Sequence, residues 1–177
     1  MSYRHPLTAL PSHTLFSVHL QAAVEQAALE RCGLVVFTIG IQRLDNILRN
    51  SNRETVNEVL EYLAHVIQRT VRHSDVVGHE ADHCFFVLIK NVREHRVDKV
   101  GQELGARLLN LLSGPIPTSS GDCQHVGVSI GMAVFPHDAQ TASELLLLCT
   151  ETANHAKKEE KHRFLASSDR LSIKRNC

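Results

Sequence analysis

Apolar residues recur along this chain with two periods, and the switches between them mark out its elements. Leu15, Phe16, Leu20, Ala23, Val24 and Ala27 return at helical spacing behind Ser12, a residue suited to an N-cap. They predict an amphipathic helix over 13–31, ended by Gly33. Leu34 to Ile41 is continuously apolar and rich in β-branched residues, as in a strand covered on both faces. The polar stretch 45–53 reads as a connector or short helical extension, with Ser51 and Glu54 as a capping box. Val56, Val59, Leu60, Leu63, Ile67 and Val71 then follow the i, i+3, i+4, i+7 rule and predict a long helix to about Arg72.

A hairpin comes next. Val76 and Val77 open one strand, residues 80–83 turn, and Cys84 to Ile89 forms a deeply buried second strand. On it Phe86 and Leu88 should alternate with Phe85 and Val87 between two covered faces, as expected of a central strand. Val97, Val100, Leu104, Leu108 and Leu111 predict a third helix, stopped by Gly114-Pro115 and Pro117. Residues 118–124 read as a loop and Val126 to Phe135 as a strand. Thr141 and Glu144 make a second capping box before a helix through Leu145, Leu148, Thr152 and Ala156. Arg163 to Ala166 reads as a final short strand, and the polar tail 167–177 as frayed.

This order defines an α+β fold with a ferredoxin-like β-α-β-β-α-β core: a mainly antiparallel central sheet flanked by helices. Residues 13–166 form one domain, preceded by a lead-in segment, 1–12. No internal repeat, low-complexity tract or second-domain linker interrupts it.

Nineteen basic residues balance nineteen acidic ones in 177, so overall charge calls for neither nucleic acid nor an anionic membrane. No apolar run reaches the length of a membrane span, and residues 1–11 lack the apolar stretch of a signal peptide. The five cysteines, Cys32, Cys84, Cys123, Cys149 and Cys177, are odd in number and widely spaced. That pattern suits reduced thiols in the cytoplasm.

Two stretches carry a resemblance. His5-Pro6-Leu7-Thr8-Ala9-Leu10-Pro11 is similar to D-x-L-T-x-L-P, and Ser129-Ile130-Gly131-Met132-Ala133 with Pro136 is similar to S-x-G-x-A…P. Both motifs belong to the bacterial GGDEF (diguanylate cyclase) domain, which the chain resembles over roughly residues 5–166. The resemblance implies the GGDEF, nucleotide-cyclase-like elaboration of the ferredoxin-like plan. It also implies a site that joins two GTP molecules with the help of magnesium.

The positions that the resemblance assigns to this chemistry hold other residue types. The signature pentapeptide falls on Ala81-Asp82-His83-Cys84-Phe85, where only the Phe is kept. The metal-binding D-x-D of the first strand falls, without gaps, on Gly40-Ile41-Gln42. Magnesium requires oxygen ligands, usually carboxylates. Gly40, Gln42, His83 and Cys84 offer none. Ala81 and Asp82 replace the glycines that let backbone approach phosphate, and Asp82 adds an unfavourable negative charge. The guanine-binding Asn and Asp fall on Leu48 and Asn57. Lys157 matches a triphosphate-contacting lysine, although Lys157, Lys158 and Lys161 with Glu159 and Glu160 also read as a solvated helix end. The expectation is a domain that is no enzyme and needs neither cofactor nor metal.

One ligand motif stays in register. Arg72-His73-Ser74-Asp75 matches the family's product-inhibition R-x-x-D at its five-residue offset from the signature. Arg suits phosphate or a guanine edge, and Asp suits guanine N–H donors. Arg72 and Asp75 are therefore candidate ligands for cyclic di-GMP, against the plainer reading of a helix-end arginine with a capping aspartate. A further arginine of that family site falls on His79. A zinc site built from His79, His83 and Cys84 lacks a fourth local ligand, with His73 as the nearest addition.

The sequence thus points to an inactive regulatory or protein-interaction module of bacterial cyclic di-GMP signalling. The expected partner is a protein, with cyclic di-GMP as an alternative ligand and a homodimer compatible with either. A residual or altered nucleotide enzyme is the third reading.

Overall fold

A computed structural model describes residues 3–158 and 163–169. Its elements are α1 (His13–Glu30), β1 (Cys32–Gln42), α2 (Leu44–Asn50), α3 (Arg53–Thr70), β2 (Val76–Glu80) and β3 (Cys84–Arg93). After a 3₁₀ turn (Glu94–Arg96) come α4 (Val97–Leu112), β4 (Ile116–Pro117), β5 (Cys123–Gln124), β6 (Gly127–Phe135), α5 (Ala142–Lys157) and β7 (Arg163–Ala166). The main sheet has the order β2-β3-β1-β6-β7. Every pairing in it is antiparallel except β6 with β7. This is the α+β, mainly antiparallel plan that the sequence predicts. The middle strand, however, is β1, and β3 lies beside it.

Strand alternation divides the core into two layers. Val35, Phe37 and Ile39 of β1 with Phe85 and Val87 of β3 face α3 and α4, meeting Val59, Leu60, Leu63 and Leu108. Val36 of β1 with Phe86 and Leu88 of β3 faces α1 and α5, meeting Phe16, Leu20, Leu145 and Cys149. The alternation expected for Phe85 to Leu88 is the one observed. Glycines let α4 pack closely: a Cβ at Gly101 or Gly105 would meet Met132 or the Phe164 ring.

Several boundaries differ from the sequence expectation, each for a local reason. Helix α1 does not end at Gly33. Arg31 adopts the left-handed conformation (φ 54°, ψ 46°) and donates its N–H to Ala27 O, while Gly33 lies within β1 against Val97. Ser12 occupies the N-cap position without a side-chain cap bond; the Glu80 carboxylate accepts the His13 N–H instead, at 3.0 Å. The Ser51–Glu54 capping box does not form. Asn52 caps α3, accepting the Thr55 N–H at 2.8 Å. Helix α3 ends at Thr70, short of Arg72. Thr141 does cap α5, accepting the Glu144 N–H at 3.2 Å. The loop expected over 118–124 is shorter: Cys123 and Gln124 form β5 and pair with Pro117 and Ile116 of β4. Of the polar tail, residues 167–169 form a helical turn with Ser167 buried and Asp169 accepting the Ala166 N–H at 3.0 Å. Residues 170–177 lie outside the described residues.

Candidate functional site

The β3 entrance and the end of β1 meet at the turn that carries the signature positions. Gly40 pairs with Cys84 on one side and with Ser129 on the other, and Ile41 donates its N–H to His83 O at 2.8 Å. Beside this junction lies a cleft of about 390 Å³, lined by Gln42, Leu48, Arg53, Asp82, His83 and Lys157 among others. The fold therefore brings most of the sequence-assigned substrate positions to one place, and Lys157 borders the same cleft. Asn57 is not among the lining residues.

The cleft's chemistry is dominated by a residue that the sequence reading passed over. Arg53, at the start of α3, grips Asp82 with both guanidinium nitrogens, at 2.6 and 2.8 Å. Hydrogen bonding from Arg53 holds the Asp82 carboxyl below its ordinary value, outweighing desolvation that opposes it. The carboxylate that stands in the signature is thus already paired, with a geometry suited to planar, bidentate contact. Asp45 is the other carboxylate on the cleft wall.

Divalent metal does not fit the positions that the resemblance assigns to it. A Cβ at Gly40 would lie 2.8 Å from Ser129 Oγ, a hydroxyl that can rotate aside, so it is the residue type and not the space that leaves this position without a ligand. Burial, with Cys149 and Glu80 adding to it, pushes the Cys84 thiol up to about 12. At neutral pH it is a protonated, half-buried thiol rather than a ligand or nucleophile. Among the described residues, no three His, Cys, Asp or Glu side chains group as a metal site, so His79, His83 and Cys84 do not converge as a zinc set would. Ala81 keeps a positive φ of 47°. The turn retains the left-handed backbone for which glycine is suited, at a cost in strain.

His79 is not among the residues that line this cleft. It is fully buried (0% exposed) and stacked between the rings of His5, 3.7 Å away, and Phe85, 4.1 Å away. Thr8 Oγ1 lies 2.9 Å from its Nδ1. Its Nε2 has no hydrogen-bond partner among the described residues. The described part of the lead-in segment, residues 3–12, is thereby pinned to β2. His5 Nε2 reaches Ala81 O at 2.9 Å, and His79 donates its N–H to Pro11 O, also at 2.9 Å.

Burial first, then the neighbouring His5, lowers the His79 pKa to about 3. The unfolded chain takes up this proton near the ordinary histidine value, and the folded chain does not. The contribution is complete above about pH 6.5 and is lost as pH falls towards 3. Urea melts of His79→Phe should therefore lose stability less steeply than wild type over that window, by up to about 1.4 kcal/mol per pH unit. Identical slopes would mean that His79 is not buried neutral.

Arg72 and Asp75 sit together where α3 leads into β2, but the two play different parts. The Asp75 carboxylate accepts the Arg72 N–H at 2.9 Å and the Lys90 N–H at 3.1 Å. It clamps the turn to β3. Arg72 lines a cavity of about 560 Å³ with Arg93, Arg96 and Arg107. Those three arginines come from the end of β3, the 3₁₀ turn and α4. Only the tertiary fold gathers them.

The family profile described as diguanylate cyclase, GGDEF domain, matches residues 2–163. The chain belongs to the GGDEF domain family. It is 26% identical over 145 residues to the diguanylate cyclase TpbB of Pseudomonas aeruginosa, an alignment covering 82% of this chain and 33% of TpbB. It is 25% identical over 158 residues to MucR, a bifunctional diguanylate cyclase/cyclic di-GMP phosphodiesterase of the same species, covering 89% of this chain and 22% of MucR. The chain thus spans a third or less of these relatives. Among solved structures, the TpbB GGDEF domain superposes with a TM-score of 0.86 at 24% identity, covering 93% of this chain and 94% of that one. The Caulobacter crescentus DgcB GGDEF domain, solved with c-di-GMP, gives 0.78 at 16% identity, covering 95% and 97%. Pseudomonas aeruginosa SiaD, solved with its activator SiaC, gives 0.81 at 16% identity, covering 93% and 62%. These likenesses establish the fold.

Proposed function

We propose that this GGDEF domain is catalytically inactive and acts as a regulatory, protein-interaction module in cyclic di-GMP signalling. The observation that carries the reading is the cleft itself: the signature's one carboxylate, Asp82, is held by Arg53, while Gly40, Gln42, His83 and Cys84 supply no carboxylate for magnesium. A relative of the same fold, SiaD, has been solved bound to an activator protein, which gives the interaction role a precedent. The thiols of Cys32, Cys84, Cys123 and Cys149 are all free, which supports a place in the cytoplasm. Incubating the protein with GTP and magnesium or manganese should yield no cyclic di-GMP by chromatography. Product above a no-protein blank would overturn the reading and favour a residual enzyme.

The cavity beside Arg72 favours a second reading, a cyclic di-GMP receptor. Four arginines around one pocket suit a ligand with two phosphates. Calorimetry with cyclic di-GMP should then show Arg72→Ala weakening binding about 10- to 150-fold. Asp75→Ala should weaken it too, through the turn it clamps. His83→Ala and Lys157→Ala, in the other cleft, should have little effect. No binding to wild type at high micromolar ligand would remove the receptor reading and leave the interaction module.

A further inference from the structure

Helices α1 and α5 pack side by side over one face of the sheet, and the fold does not use their outer surfaces. Helix α1 buries Phe16, Leu20, Ala23, Val24 and Ala27. It exposes a second apolar stripe on its other side: Val18 is 61% and Leu29 86% exposed, with Ala22 between them. Positions 18, 22, 25 and 29 alternate steps of four and three, the spacing of a helix seam. Across the groove α5 presents Leu146 and Leu147, the latter 59% exposed. The groove between the helices measures about 950 Å³. An apolar surface of this shape fits an amphipathic helix laid into it.

The charges around the groove specify that helix further. No Lys or Arg occurs between residues 13 and 30, nor between 142 and 156. Glu25 lines the groove. Glu144 stands one helical turn before Leu147 and Glu30 follows Leu29, while His13 is the titratable base that also lines the groove. The apolar strip is therefore rimmed by acids. A second copy of this chain would bring acidic rim against acidic rim, which opposes pairing. A helix with basic flanks would meet complementary charge along its length.

We propose that the α1–α5 groove docks a basic amphipathic helix of a partner protein, with Val18 and Leu147 as anchors and Glu25 and Glu144 as charge selectors. The inference rests on the interaction-module reading. The probe is a labelled synthetic helix of about 18 residues with leucines on one face and lysines flanking them, followed by fluorescence anisotropy. Its counterpart carries glutamate in place of lysine. The lysine peptide should bind and the glutamate peptide should not. The Val18→Ser/Leu147→Ser protein should weaken binding at least about tenfold, equivalent to about 1.4 kcal/mol. Glu25→Lys/Glu144→Lys should reverse the peptide preference. Val18 and Leu147 are exposed, so the serine variant should melt like wild type by circular dichroism. Glu144 accepts the Gln140 N–H in the first turn of α5, so where the double charge reversal melts lower, Glu25→Lys alone supplies the charge test. If the serine variant does not melt like wild type, the charge test decides. Equal binding of both peptides, or affinity unchanged by either variant, would overturn the proposal. So would sedimentation showing a dimer that Leu147→Ser dissolves, since that assigns the groove to a second copy. Failure here leaves the inactive-module reading standing, because cyclic di-GMP production from GTP tests that reading separately.

Discussion

Gly131→Ala is expected to be among the most damaging single-methyl changes in this domain. Gly131 lies in the middle of β6, directly under α5. A Cβ there would fall inside van der Waals contact of Cys149 O and of the Ala153 backbone. Those atoms belong to helix backbone, so no rotamer change relieves the overlap. Helix α5 must lift from the sheet, which disturbs the Thr38 Oγ1–Cys149 Sγ contact at 3.0 Å and opens the layer that holds Leu145 and Cys149. The expected loss is about 3 kcal/mol or more, at or beyond the usual upper end for overpacking. Gly114→Ala is the control. Its nearest neighbour, Leu111 O, is 3.9 Å from the added Cβ, and its melt should stay close to wild type. A Gly131→Ala loss below about 1 kcal/mol in urea would mean that α5 does not sit this closely on β6.

Phe85→Ala should cost about 3–5 kcal/mol, as truncating a fully buried phenylalanine does. Phe85 is 0% exposed, packs into the α3–α4 layer and carries the His79 ring on its face. Its removal leaves a cavity and also frees the stack that pins the lead-in segment. Phe86→Ala should cost a similar amount for a different reason. Phe86 faces the other layer and stacks on Phe16 at 5.3 Å. Losses below about 1 kcal/mol would deny the β3 placement. The result bears on function as well. Phe85 is the residue that the resemblance matches to the last letter of the signature, and its place in the core gives it a structural role independent of the cleft. A packing residue is retained when its volume is needed, whatever happens to the ligands beside it.

Periodicity determined the element order, the α+β class and the two-sided burial of β3, because each follows from which residues must leave water on a strand or a helix. Residue identity alone established that Gly40, Gln42, His83 and Cys84, the positions the resemblance assigns to metal, carry no carboxylate. Caps were less legible. Ser51 and Asn52 both suit an N-cap, and only the path of the chain into α3 selected Asn52. The end of α1 escaped as well, since Arg31 adopts a left-handed backbone that composition does not advertise. What the sequence could not supply were the long-range pairings. Arg53 and Asp82 are 29 residues apart, and His5, by ring stacking, and Thr8, by its hydroxyl, reach His79 across more than 70. The arginines around Arg72 and the two helix faces that make the acidic-rimmed groove likewise become neighbours only in the folded sheet. The sequence by itself determined the layers and the residue types at the positions assigned by resemblance, which are local properties of side chains. The tertiary structure alone decided which charges meet and which apolar stripe stays uncovered, since those depend on how strands and helices from distant parts of the chain are brought side by side.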